Sequence, residues 1–401
     1  MDKKNKNPNV PNLRFNEFSL PWHQMRIIDL LSFQNGINGT PEQYGKGIKY
    51  ISVGDILNND YITYDKIAGS IDINQETLKN YSVTYGDILF QRSSEIKEDI
   101  GRTNVYLDKD HTATFGGFVI RGKKIGDYNP TFFNYLLKSP SSRQSIVRLG
   151  AGAQHYNIGQ ENIKTLNFYF PDEEEQQKIA NLFSKIDERI QTQIKIIELK
   201  QSLIKDIEDK LLWKSASTYS RHISDFLTEL NDKSKIQNQY PLLSSTKKGL
   251  FLQTDYFNKE AASSNNIGYK IVHEGDIIIS PQNLWMGNIT YNDKFVNGLV
   301  SPSYRIYKVK EEYNAYYISR ILMSYRALSL YKNISEQGAS IVRRNLNVDA
   351  FNELCFPIPN IKKQDEVSLF LSKLHQELNS EIEILRQLKN QKKYLLCNMF
   401  I

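Results

Sequence analysis

At 401 residues the chain is too long for one ordinary domain, and its 40% apolar and 24% charged residues suit folded units rather than a disordered polymer. A formal charge of +6 permits a polyanionic partner without demonstrating one. No apolar run reaches the roughly 18 residues of a membrane span, the lysine-rich opening lacks the apolar stretch of a secretory signal, and Cys355 and Cys397 alone build neither a disulfide framework nor a cysteine zinc site, so a cytoplasmic protein is expected.

Residues 1–19 read as an N-terminal segment. Between 20 and 170, short apolar runs such as Asp87-Ile88-Leu89-Phe90 alternate with the turn signals Asn35-Gly36 and Asn38-Gly39, and one helical stretch runs from Thr131 to Leu149. This pattern predicts a first α+β domain. The acidic run Asp172-Glu173-Glu174-Glu175 suits the positive end of a helix. Behind it, Ile179, Phe183, Ile186, Ile190, Ile194, Ile197, Ile207 and Leu211 recur in steps of three and four, predicting one long helix within 171–213. Lys214 to Thr218 reads as a hinge. A second α+β domain is expected at 214–357, with the strand Gly275-Asp276-Ile277-Ile278-Ile279, the turn Asn297-Gly298 and a helical stretch from Asn314 to Tyr331. A second long helix fills 358–401.

The two halves are copies of one another. Tyr85-Gly86-Asp87-Ile88-Leu89 recurs about 190 residues on as Glu274-Gly275-Asp276-Ile277-Ile278, and Leu166 to Pro171 recurs as Leu354 to Pro359. In the long helices the seam repeats as Val367, Leu371, Leu374, Leu378, Ile382, Leu385, Leu395 and Met399, broken only at Lys200/Leu388 and Ile204/Lys392. Connectivity makes the two helices an antiparallel pair if their seams pack, with one domain toward each end: a pseudo-twofold tandem duplication.

Charge falls unevenly on this frame. Lys138, Arg143 and Arg148 lie in an acid-free stretch of the first copy, and Arg320, Arg326 and Lys332 lie in the corresponding stretch of the second. Each stretch leads into a small-residue loop with polar groups: Gly150 to Asn157, holding Gln154, His155, Tyr156 and Asn157, and Gln337 to Asn345, holding Ser340, Arg343, Arg344 and Asn345. A second polar loop follows each Gly-Asp strand, with Arg92, Ser93, Ser94 and Lys97 in one copy and Gln282 and Asn283 in the other. Glycines allow close approach, Arg and Lys neutralise phosphate, and Gln, Asn, His and Arg can read base edges. Seventeen of these positions, all but Lys138, Arg320 and Lys332, form the candidate DNA-binding set. Similar frames with dissimilar loops suit an asymmetric, two-part sequence.

The opening Val10-Pro11-Asn12-Leu13-Arg14-Phe15 followed by Trp22, the Gly86-Asp87-Ile88-Leu89 strand, and Phe170-Pro171-Asp172-Glu173-Glu174-Glu175-Gln176-Gln177-Lys178-Ile179-Ala180 together carry a resemblance that spans the chain. The sequence resembles the specificity (S) subunit of type I restriction–modification enzymes. Its second copy, Pro357 to Val367, keeps the prolines and one Gln and departs from the Glu-Gln-Gln-Lys-Ile form. The resemblance implies a DNA-recognition subunit without chemistry of its own, binding two modification (M) subunits and, with them, restriction (R) subunits. S-adenosylmethionine, ATP and Mg²⁺ would belong to those partners. It also implies that the spacer helices dock the M subunits, with Ile186, Ile190, Ile197, Leu374, Leu378 and Leu385 as the expected contacts.

Catalytic readings find less support. Asp87, Glu95 and Lys97 form an Asp-x7-Glu-x-Lys string of the kind that binds magnesium in nucleases, but the second copy keeps only Asp276. Asn129-Pro130-Thr131-Phe132 lacks the second proline of an adenine-stacking turn, and Gly47 replaces the Ser or Thr of a phosphate loop. The six histidines show no metal-ligand spacing, no metal site is expected, and Trp285 reads as core. A coiled-coil scaffold with two protein-binding heads would explain the helices but not the paired basic stretches.

Overall fold

The computed structural model describes residues 9–214, 220–247, 249–256, 265–337 and 344–401. It divides into two compact units, Met1–Ile194 with Glu383–Ile401, and Lys195–Ile382. The elements that position the candidate site in the first unit are, in chain order, β1 (His23–Arg26), β2 (Leu31–Asn35), β3 (Ile88–Gln91), β4 (Ser93–Ser94), β5 (Thr103–Val105), β6 (Val119–Lys124), α1 (Pro130–Lys138), α2 (Pro140–Val147), β7 (Tyr156–Asn157), β8 (Asn167–Phe170) and the opening turns of α3 (Glu173–Asp209). Those of the second are β9 (Ser220–His222), β10 (Leu227–Leu230), β11 (Ile277–Ile279), β12 (Ile289–Tyr291), β13 (Arg305–Val309), α4 (Ala315–Leu322), α5 (Tyr325–Asn333), β14 (Ser335–Gln337), β15 (Arg344–Leu346), β16 (Cys355–Pro357) and α6 (Ile361–Asn398).

The duplication is visible strand for strand. The first unit's antiparallel sheet has the order β2–β6–β3–β5, and the second has β10–β13–β11–β12. In each, the first and last strands pair and close the unit, His23 opposite Phe170 and His222 opposite Cys355. The repeated Gly-Asp pair is a turn that launches the central strand. Gly86 and Gly275 take φ of +92° and +90°, a region open to glycine and strained for other residues. The aspartates then bind the turn: Asp87 accepts the Thr84 N–H at 3.0 Å and Asp276 accepts the His273 N–H at 2.7 Å.

The repeated Gln performs one task twice. Gln176 Oε1 accepts the Asn129 N–H at 2.9 Å and its Nε2 donates to Pro171 O at 3.0 Å. Gln364 accepts from Asn314 N at 2.9 Å and donates to Pro359 O at 2.7 Å. Each Gln thus ties the start of a long helix to the asparagine that caps α1 or α4. Arg14 of the opening motif reaches Glu175 with Nε at 2.8 Å and Nη2 at 2.6 Å, and Trp22 Nε1 donates to the same carboxylate at 3.2 Å.

The larger core of each unit draws on both long helices. In the first unit Trp22, Phe132, Phe170 and, from α3, Phe183 bury together with Met399 and Phe400 from the end of the chain. Phe400 packs within 5.6 Å of Phe183, centroid to centroid. In the second unit Phe226, Tyr317 and Phe356 bury with Val367 and Leu371 of α6 and with Leu212, just past α3. Neither long helix belongs to one unit alone. Where they meet they run antiparallel: Ile186, Ile190 and Leu388 bury together in the first unit, and Lys200 reaches Glu381 in the second.

One expectation changes. Each late helical stretch is two helices, not one. Pro140 lacks the N–H needed to continue α1, and Ser139 caps α2 by accepting the Ser142 N–H. Ser324 does the same for α5 through Ala327.

Candidate nucleic-acid interface

In the first unit the two polar loops, 60 residues apart in sequence, form one ribbon. β4 and β7 pair antiparallel, Tyr156 opposite Ser94 and Asn157 opposite Ser93. Ile158 N donates to Arg92 O at 3.0 Å, and Ser93 Oγ donates to Asn157 Oδ1. Ala151 and Asn157 exchange backbone hydrogen bonds, closing a tight loop. The loop turns at Gly152, with φ of +134°, where a Cβ would lie 2.0 Å from His155 O. The ribbon leaves Arg92, Gln154, His155 and Asn157 exposed and Tyr156 half-buried against the core. Lys97 and Arg148 are exposed beside it.

In the second unit the corresponding loops also meet, but through one backbone hydrogen bond rather than a paired ribbon. Arg344 N donates to Gln282 O at 3.3 Å, so β15 lies against the loop that follows β11. β14 and β15 pair antiparallel with Glu336 opposite Asn345. Gln282 and Asn345 are exposed and Asn283 is half-buried. Ser340 and Arg343 lie outside the described residues. The Arg344 guanidinium sits 4.6 Å from the centroid of the Trp285 ring.

Arg143 and Arg326, expected to face DNA, have other partners, as do Lys138 and Arg320 of the same basic stretches. Arg143 spends its guanidinium on three carbonyls, those of Gly101 and Ile100 at 2.7 Å and Glu98 at 3.1 Å, and so anchors the segment behind the ribbon. Lys138 turns inward to Asp60 O at 2.7 Å, where burial, with Lys392 beside it, pushes its pKa down to about 8. Arg326 grips Asp209, with Nη2 at 3.0 Å, and lies over Trp213. Arg320 pairs with Glu208 at 2.7 Å. Four of the six cations in the acid-free stretches thus meet acids or carbonyls from elsewhere in the chain, while Arg148 and Lys332 stay exposed.

The partner-docking expectation also changes. Ile186, Ile190 and Ile197 are each only 8% exposed, Leu385 packs beside the first two, Leu374 joins the second core, and Leu378 is half-buried. Ile186, Ile190 and Ile197 are thus largely covered within the chain, while Leu374, Leu378 and Leu385 keep part of their surface open.

The nuclease reading meets a similar obstacle. Asp87 is buried and takes N–H groups from Thr84 and, at 2.9 Å, Lys124; burial pushes its pKa up. Glu95 and Lys97 lie exposed in the following loop. Among the described residues no group of three His, Cys, Asp or Glu could hold a metal ion, and no helix is long and apolar enough to cross a membrane.

Sequence reasoning missed two supports. Arg143 as a brace was hidden by the absence of nearby acids, since its acceptors are carbonyls. Trp285 is half-buried outside both cores of its unit, and its neighbour Arg344 is remote in sequence.

Fold and site thus define a duplicated α+β protein whose two units share a pair of long helices and each present a polar ribbon. Residues 21–201 match the family model of the type I restriction modification DNA specificity domain. The putative type I restriction enzyme MjaX specificity subunit of Methanocaldococcus jannaschii is 28% identical over 214 residues, 52% of this chain and 49% of that protein. The match therefore spans about half the length of that relative. The crystal structure of a type I restriction–modification system S subunit from M. genitalium covers 98% of this chain and 99% of its own at 17% identity and a TM-score of 0.55. A chain from a structure describing complex assembly and conformational transition of the type I R-M system covers 94% and 98% at 10% identity and a TM-score of 0.59. At these identities the structural likeness is one of fold. Residues 21–201 thus resemble a type I restriction modification DNA specificity domain, and the whole chain shares the fold of type I S subunits.

Proposed function

We propose that this chain is the DNA sequence-recognition subunit of a type I restriction–modification complex, reading an asymmetric target in two parts, one with each ribbon. The observation that carries the reading is that the two polar loops meet on the same frame in both units, paired as one ribbon in the first and joined by the Arg344 N–H to Gln282 O bond in the second, with different residues at each: Arg92, Ser93, Gln154, His155 and Asn157 in one, Gln282, Arg344 and Asn345 in the other. Matched frames hold the readers in place, and mismatched side chains give each its own sequence. The chain contributes recognition. Methylation with S-adenosylmethionine, and ATP- and Mg²⁺-dependent cleavage, belong in this reading to two modification subunits and to restriction subunits, in the cytoplasm.

The test is a binding selection from randomised duplex DNA, using the full chain with its modification subunits at several salt concentrations. The reading expects a two-part sequence with an unspecified gap and an affinity that falls steeply with salt. Salt-insensitive binding, or retention of all sequences alike, would overturn it and favour a protein-binding scaffold.

A further inference from the structure

Arg344 differs from other arginines of its unit. Arg305, Arg320 and Arg326 meet Glu229, Glu208 and Asp209. Arg344 meets no acid among the described residues; its Nε is shielded from solvent and has no hydrogen-bond partner. Leaving a buried charged donor unmade is costly, and a cation stacked on an indole recovers only part of that cost. The residue is only half-buried, and its Nη groups, which meet no partner among the described residues, are the donors open to an acceptor from outside. Trp285 fixes the orientation of that demand. It sits in the turn Leu284–Met286, ended by Gly287, and its own Nε1 is also shielded and unpartnered. The guanidinium lies 4.6 Å from the ring and the Arg344 backbone N–H donates to Gln282 O, so both ends of the side chain have a fixed neighbour. A rigid planar fork of N–H donors matches two acceptors side by side in one plane. In the major groove that pattern is O6 and N7 of guanine.

Resting on the DNA-recognition reading above, we propose that Arg344 reads a guanine in the part of the target bound by the second unit, and that Trp285 is its positioning residue. A phosphate could also take both donors, but a phosphate contact carries no sequence preference.

The experiment compares sequences selected from randomised DNA by the full chain with its modification subunits, for wild type and for R344K, R344A, W285F and W285L. The proposal expects wild type to require guanine at one position of one part. R344K and R344A should lower that preference on the order of tenfold or more. W285L should lower it at the same position, W285F should largely keep it, and the other part should stay unchanged in all four. Unchanged selection at the other part of the target shows that each variant is folded, so a loss of selectivity at the one position is not a loss of structure. Weaker binding to every sequence with the preference intact would assign Arg344 to phosphate and overturn the proposal, as would an unchanged preference. A wild-type complex that selects no sequence would instead bring down the recognition reading itself.

Discussion

Lys392 of α6 places its Nζ 2.5 Å from Asp187 Oδ1 of α3, and Tyr135 donates to the other oxygen of the same carboxylate at 2.7 Å. Lys392 is one of the two breaks in the repeated apolar seam, standing where the first copy has Ile204. The second break, Lys200, also finds acid on the facing helix, at Glu381. A polar residue in an apolar seam fixes register and orientation, because a slip by one turn strands its charge among apolar groups. Lys392→Ala should cost the first unit about 2–4 kcal/mol in denaturant unfolding, between exposed and fully buried pairs. Lys200→Ala, at a far more exposed pair, should cost clearly less. Equal effects would contradict the register assignment.

The Arg14–Glu175 pair predicts a role for the opening segment. Glu175 has no exposed side-chain surface, and Arg14 supplies both of its strongest hydrogen bonds. Arg14→Ala should destabilise the chain by about 3–5 kcal/mol by leaving a buried carboxylate with only Trp22, and Glu175→Gln should cost less. Thermal melting of both variants decides it; a negligible effect of Arg14→Ala would contradict the buried clamp.

Lys138 gives a pH dependence of defined sign. Its pKa falls from 10.5 to about 8 on folding, so between those values the unfolded chain binds more protons and stability rises with pH. The difference in unfolding free energy between wild type and Lys138→Met should therefore grow in favour of wild type by about 2–3 kcal/mol from pH 7.5 to 10. Asp60, Asp187 and Lys392 surround the same group, so the Met variant serves as the reference that removes their common background. A pH-independent difference would refute the burial argument.

The basic residues near the first ribbon separate by role. Lys97→Ala and Arg148→Ala should weaken DNA binding at all sequences and each reduce the salt slope by about 1. Arg143→Ala should leave that slope unchanged and instead lower stability by about 1–3 kcal/mol, since three carbonyls lose their donors. A drop in slope for Arg143→Ala would return it to the DNA-facing set.

Much of the frame was legible because it depends on local rules repeated twice. Gly86-Asp87 and Gly275-Asp276 are turn chemistry readable from two residues, and the seam of α3 and α6 is readable from spacing. The Gln176 and Gln364 contacts explain why that one residue survives in both copies of the helix-start motif. The rest depended on partners distant in sequence. Nothing near Arg143 announces that the carbonyls of Glu98, Ile100 and Gly101 will accept its hydrogen bonds, and nothing near Asp209 announces Arg326. The seam residues were legible as apolar but not as spent, since packing between α3 and α6 and docking to a partner leave the same pattern. Pro140 was the one local signal passed over: it ends a helix wherever a continuous one is drawn through it.

The central claim is that each ribbon reads its own part of the target. Its most direct measurement is the set of sequences selected by the full complex after residues 91–97 and 150–157 are exchanged for those of a relative with a different target. The account predicts that one part changes while the other part and the gap stay as they were. A change in both parts, or in neither, would contradict it.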